Sequence, residues 1–141
     1  LFKRRALVHM KRIWTNGCFD ILHVGHMRLL KYARSLGDTL IVGIDSDRRV
    51  QQLKGDNRPI NSHDIRKEML LSIRWVDNVI IFDCEKELEN LIKKHSDTMV
   101  VGSDYKSKIV VGSKHSDVVF FDRVEEHSTT NILKELPYGH N

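Results

Sequence analysis

Two histidines three residues apart, His23 and His26, follow a stretch that reads Thr15-Asn16-Gly17-Cys18-Phe19-Asp20. At a helix start this spacing sets both imidazoles near one side, about 4.5 Å apart along the axis. Gly25 lies between them and keeps side-chain bulk away from an approaching phosphate chain. Peptide N–H groups of a first helical turn add positive potential at the same place. Two imidazole donors there suit phosphoryl oxygens whose charge grows during transfer, and neutral rings can do this work. A zinc pair lacks a third ligand at conventional spacing. A GxGxxG fingerprint is missing after the first strand.

Further along, QLKGDNRPIN at 52–61 holds Lys54 and Arg58, and Arg66 follows. These cations near a strand-end loop are suited to close over a triphosphate, where mobile charge also excludes water. Gly102 permits close backbone approach, and Asp104 stands where an acceptor hydroxyl or nucleotide is held, or simply forms a turn. Arg123 precedes Ser128, Thr129 and Thr130, whose hydroxyls offer a second phosphate cradle or an ordinary helix cap. Asp20 is either an acceptor-side group or a turn former. Phe19 reads as packing that fixes the turn. Cys18 reads as a small buried residue, not a nucleophile.

These residues need a scaffold. Short apolar runs at 13–15, 39–45, 79–82, 98–102 and 117–121 read as strands, and they lack the alternation of a half-wet sheet. Helical spacing occupies 24–36, with Val24, Met27, Leu30 and Ala33 on one side and Gly37 as a stop. Asn61 or Ser62 caps a helix that carries Ile65, Met69, Leu70 and Ile73 inward and ends near Trp75. A third helix covers 86–95, and Ser128 to Leu136 forms a last short one, stopped by Pro137. Strands alternating with helices predict an α/β fold: a Rossmann-like open parallel sheet of about five strands with helices on both faces.

The 141 residues carry 23 Lys and Arg against 19 Asp and Glu. Lys3, Arg4, Arg5, Lys11 and Arg12 concentrate that excess at the N-terminus, so the remainder is almost neutral. A general nucleic-acid surface is therefore not expected. No apolar run is long enough to span a membrane. Two cysteines, Cys18 and Cys84, make no disulfide framework and suit a reducing, cytoplasmic setting. The expected organisation is a disordered or non-native basic tail at 1–10, one domain at 11–137, and a tail at 138–141.

The pattern G-x-F-D-x-x-H-x-G-H at 17–26 closely resembles the signature of cytidylyltransferase-like nucleotidyltransferases. The resemblance runs from Lys11 to Leu136. It implies a frequently dimeric Rossmann-like domain in which His23 and His26 contact the triphosphate and stabilise the transition state. It also implies that Lys54 is the mobile phosphate-binding lysine and that Arg66 is the helix arginine of the glycerol-3-phosphate cytidylyltransferase branch. RVEEHSTT is similar to an element of that branch, with Arg123 in register, although Glu126 replaces a usual glycine. LKGDNRPIN, GSDYKSK and STTNI look more like the adenylyltransferase domain of ADP-heptose synthases, although GSD stands at 102–104 for G-G-D.

The expected activity is therefore transfer of AMP from ATP onto a heptose 1-phosphate, with pyrophosphate released. The alternatives are a CTP-dependent glycerol-3-phosphate cytidylyltransferase and a non-catalytic nucleotide-binding regulator. The implied catalytic set is His23, His26 and Lys54. Asn16, Gly17, Cys18, Phe19, Gly25, Arg66, Arg123 and Ser128 to Thr130 are expected on the nucleotide, and Asp20, Arg58 and Asp104 on the acceptor. Mg²⁺ is expected to arrive with the nucleotide, held by no protein metal site. A homodimer is expected, with neither nucleic acid nor membrane as a partner.

Overall fold

A computed structural model describes residues 9–122. Five strands form one all-parallel sheet: β1 (Arg12–Gly17), β2 (Thr39–Asp45), β3 (Asn78–Phe82), β4 (Thr98–Gly102) and β5 (Asp117–Phe121). Their order is β3-β2-β1-β4-β5. Four α-helices connect them: α1 (Val24–Ser35), α2 (Asp47–Lys54), α3 (His63–Leu71) and α4 (Glu85–His95). The chain winds outward from β1 in both directions, so β1 and β4 flank the topological switch point where ligands of such sheets collect.

One apolar layer joins Leu30 and Ala33 of α1 with Leu70 of α3 and the sheet residues Ile13, Val42 and Ile44. The opposite layer joins Leu88 and Ile92 of α4 with Trp14, Phe82 and Met99. Gly43 lets the Trp14 ring lie flat on β2. A Cβ there would sit 2.4 Å from Trp14 Cζ2.

The expected α/β sheet with helices on both faces is present, and β2, β4 and β5 have the expected bounds. Four details differ. Residues 47–54, whose last three open the expected loop at 52–61, are helical in α2. That helix is polar nearly all round and buries only Val50, so periodicity gave no signal. It starts because the Ser46 hydroxyl accepts the Arg49 N–H. Helix α3 ends at Leu71, short of Trp75. Its expected inward residues Ile65 and Met69 are 48% and 42% exposed, and Arg66 with Leu70 takes the buried face. Val24 likewise points outward, and Gly25 is buried. The last expected helix lies outside the described residues.

Candidate active site

The turn after β1 is built from unusual backbone. Phe19 and Ile21 adopt φ of 51° and 48°, the left-handed region, on either side of Asp20. Each such residue costs on the order of 1 kcal/mol or more, so surrounding bonds must hold the turn. Asp20 supplies them. Its fully buried carboxylate accepts the N–H groups of Ile60 at 2.6 Å and Asn61 at 2.9 Å. Arg58 Nε lies 3.5 Å from the same carboxylate. One side chain thus latches the loop before α3 onto the turn after β1. The ring of Phe19 covers Gly17, where a Cβ would stand 3.2 Å from Phe19 Cε2.

His23 is the N-cap of α1. Its Nδ1 accepts the Gly25 N–H at 3.1 Å, and His26 Nδ1 accepts the His23 N–H at 3.3 Å. This reciprocal arrangement is a capping box made of imidazoles. A neutral ring whose Nδ1 accepts carries its proton on Nε2. Both histidines therefore offer an N–H donor at the atom remote from the backbone. The rings stack, and Phe19 tilts against His26 with ring centroids 5.1 Å apart. The Gly25 N–H, one of the first-turn donors expected to face phosphate, is spent on His23.

Arg66 is 1% exposed, and its guanidinium donates to the carbonyls of Asn61, Cys18 and Asp45 and to Asp47 Oδ1. The structure gives this expected nucleotide ligand four protein partners behind the turn. His63 and Asp47 add reciprocal bonds between the starts of α2 and α3, Asp47 N–H to His63 Nδ1 and His63 N–H to Asp47 Oδ1. Sequence reading missed Asp45, Asp47 and His63. The pair SD at 46–47 was the available signal, as a helix start after an apolar strand.

A cavity of about 240 Å³ lies at the C-terminal edge of β1 and β4. The structure brings His23, His26, Gly25, Lys54 and Arg58 together around it, with the turn from Asn16 to Asp20 as its floor and Gly102 and Asp104 opposite. Arg58 Nε and Nη2 are buried and have no hydrogen-bond partner among the described residues. Asn16 is oriented by the Trp14 indole N–H, which donates to Asn16 Oδ1 at 2.9 Å. Burial pushes the Cys18 thiol pKa up, against the opposing pull of Lys54 and Arg66, which disfavours the thiolate. Arg123, Ser128, Thr129 and Thr130 lie outside the described residues. Among the described residues no group of three or more His, Cys, Asp or Glu stands together to hold a metal. A magnesium ion would be held by the nucleotide's own oxygens.

Residues 14–135 match the model of the cytidylyltransferase-like family. The chain is 49% identical over 126 residues to the bifunctional protein HldE of Campylobacter fetus, covering 88% of this chain and 27% of that protein. It is 44% identical over 133 residues to the bifunctional protein HldE of Helicobacter hepaticus, covering 94% of this chain and 28% of that one. The chain thus spans little more than a quarter of the length of these curated relatives. A solved structure, the lipopolysaccharide core biosynthesis protein of Thermoplasma volcanium, superposes with a TM-score of 0.68 at 26% identity, covering 82% of this chain and 98% of that one. Pantothenate synthetase of Thermus thermophilus shares the fold, with a TM-score of 0.61 at 15% identity over 94% of this chain and 65% of that one.

Proposed function

Because this chain belongs to the cytidylyltransferase-like family, we propose that it is a nucleotidyltransferase moving AMP from ATP onto the phosphate of a heptose 1-phosphate. The observation that carries the proposal is the imidazole capping box. It sets two Nε2–H donors at the mouth of a cavity on the switch point. The kinship to HldE proteins favours the sugar-phosphate acceptor over others.

An acceptor phosphate oxygen forms a bond to the α-phosphorus, the bond from that phosphorus to the bridging oxygen breaks, and pyrophosphate leaves. The nucleophile is already anionic, so no general base is needed. His23 and His26 donate to oxygens that gain charge in the transition state. Lys54 comes from the end of α2 and brings a flexible cation to the polyphosphate. Arg58, whose buried Nε and Nη2 make no hydrogen bond among the described residues although Nε stays within ion-pair range of Asp20, is suited to an incoming phosphate. Arg123 belongs to the same proposal, binding the polyphosphate with Lys54, while Ser128 to Thr130 secure its far end. Most of the acceleration then comes from positioning and electrostatics.

The element RVEEHSTT keeps a second reading in view, CTP-dependent transfer onto glycerol 3-phosphate. A non-catalytic regulator fits less well, since both histidines are present and face the cavity. A cytoplasmic homodimer completes the proposal, to be read by sedimentation of the protein. No helix among the described residues is long and apolar enough to cross a membrane.

The deciding experiment is a matrix of ATP, CTP, GTP and UTP against heptose 1-phosphate and glycerol 3-phosphate, read by pyrophosphate release. ATP with heptose 1-phosphate is expected to be the best pair. Activity only with CTP and glycerol 3-phosphate would select the second reading, and silence in every well would select the regulator.

A further inference from the structure

Strands β1 and β4 pair through only Ile13↔Thr98 and Trp14↔Met99, then part while both still run toward their C-terminal ends. Below the gap, the Thr15 hydroxyl bridges it by donating to the Val100 carbonyl at 2.9 Å. The parting opens a second cavity of about 310 Å³, walled by Leu53 of α2, Phe82 of β3 and Leu88 of α4. This cavity meets the first along one seam, since Gly17, Cys18 and Lys54 line both. Two chambers joined at a phosphate-binding turn are what a transfer between two substrates requires.

The two chambers differ in chemistry. The second holds no imidazole; beyond the Lys54 seam it shares with the first, the charged groups in its largely apolar wall are one ion pair, Asp45 with Arg49. Arg49 Nε donates to Asp45 Oδ1 at 2.7 Å, with the two side chains 20% and 13% exposed. The guanidinium lies over the Phe82 ring, 5.5 Å from its centroid. The Asp45 carbonyl is itself tied to Arg66 Nη1. Both members are thus fixed in place. The Nη groups of Arg49 make no hydrogen bond among the described residues, and Asp45 keeps acceptor capacity.

Away from the Lys54 seam a polyphosphate is a poor match for this chamber, because Asp45 repels it and neutralises Arg49. A hydroxyl donates and accepts at once, so a carboxylate beside a guanidinium matches adjacent hydroxyls on a carbon chain or ring. Apolar walls suit the C–H faces of such a molecule. We infer that the Asp45–Arg49 pair reads the hydroxyls of the acceptor, which enters by the second chamber and presents its phosphate at the Lys54 seam. This rests on the nucleotidyl-transfer reading above and assigns two specificity-determining residues to it.

The test uses the full chain as wild type, Arg49→Gln, Arg49→Lys and Asp45→Asn. Pyrophosphate release is followed with ATP and heptose 1-phosphate, and ATP binding is measured separately by calorimetry. Arg49→Gln and Asp45→Asn are expected to lower kcat/KM for the sugar phosphate about 10- to 100-fold, mostly through KM, as for lost bonds to charged groups. ATP affinity is expected to stay within about twofold, which also reports an intact fold. Arg49→Lys keeps the charge without the planar fork, and it is expected to fall between the two. Unchanged kcat/KM in Arg49→Gln overturns the inference and leaves the transfer reading standing. A parallel loss of ATP binding in all three variants also overturns it, by assigning the pair a structural role. A wild type that binds ATP yet releases no pyrophosphate with any acceptor overturns the transfer reading, and this inference with it.

Discussion

The imidazoles of His23 and His26 stack with centroids 3.8 Å apart and 27° between their planes. Each accepts a backbone N–H through Nδ1, so capping and the proposed donation to phosphate reside on opposite edges of the same ring. The two roles can therefore be separated by substitution. Asn at position 23 keeps a cap acceptor and loses the Nε2 donor. His23→Asn is expected to retain the wild-type melting temperature within a degree or two while kcat falls about 10²- to 10³-fold. His23→Ala loses both, with an added stability cost of about 1 kcal/mol. Full activity in His23→Asn would reduce His23 to a helix cap.

The latch of Asp20 on the 58–61 segment makes an asymmetric prediction. Asp20→Asn leaves two loop N–H groups and Arg58 without a carboxylate, and it is expected to cost about 3–5 kcal/mol in urea unfolding. Arg58→Ala leaves Asp20 bound to Ile60 and Asn61, so it is expected to cost about 1–2 kcal/mol. Its main effect should be a higher KM for a phosphorylated substrate. Equal stability losses in the two variants would show that Arg58, too, is structural.

Arg66 holds Cys18, Asp45, Asn61 and Asp47 at once. Arg66→Lys cannot reproduce four fixed bonds and strands buried acceptors, so a loss of about 2–4 kcal/mol is expected by chemical unfolding. Activity should fall together with stability. An Arg66→Lys protein that is fully stable but cannot bind ATP would instead return Arg66 to direct nucleotide contact.

Asp97 closes the opposite end of the parted strands. Its carboxylate accepts from Arg12 Nε, Nη2 and the Arg12 backbone N–H, and the Asp97 N–H donates to the Arg12 carbonyl. The Arg12 side chain, foremost, holds the Asp97 carboxyl well below the usual carboxylate range. A depressed folded-state pKa means stability present above the unfolded value of about 4 and lost as pH falls through the folded one. Asp97→Asn is expected to be less stable by about 1–2 kcal/mol at pH 7. The gap to wild type should narrow below about pH 4 in acid titration of the melting temperature. A gap that is constant with pH would exclude the ionised carboxylate as its source.

The strands at 39–45, 98–102 and 117–121 and the helix start at the histidine motif were legible because local chemistry dictates them. An apolar run without alternation must be buried on both faces, and two imidazoles three apart at a helix start must share a side. Helix α2 and the outward turn of Ile65 and Met69 were not legible. Periodicity assumes that apolar residues face inward, and in α3 the buried face belongs to Arg66, whose bonds come from distant carbonyls. Likewise Asp20 reads locally as an acceptor-side group or a turn former, yet its backbone partners lie 40 and 41 residues away.

Sequence alone was sufficient for the α/β class and for the helix start at His23, since hydrophobic burial and helix capping act over a few residues. Which charges face a substrate and which brace the turn depended on how the strands splay and where the backbone carbonyls converge. Arg66 and Asp20 are charges of the same kinds as Arg58 and Asp104. Burial and long-range partners alone distinguish their tasks, because a desolvated charge takes the partner that folding brings to it.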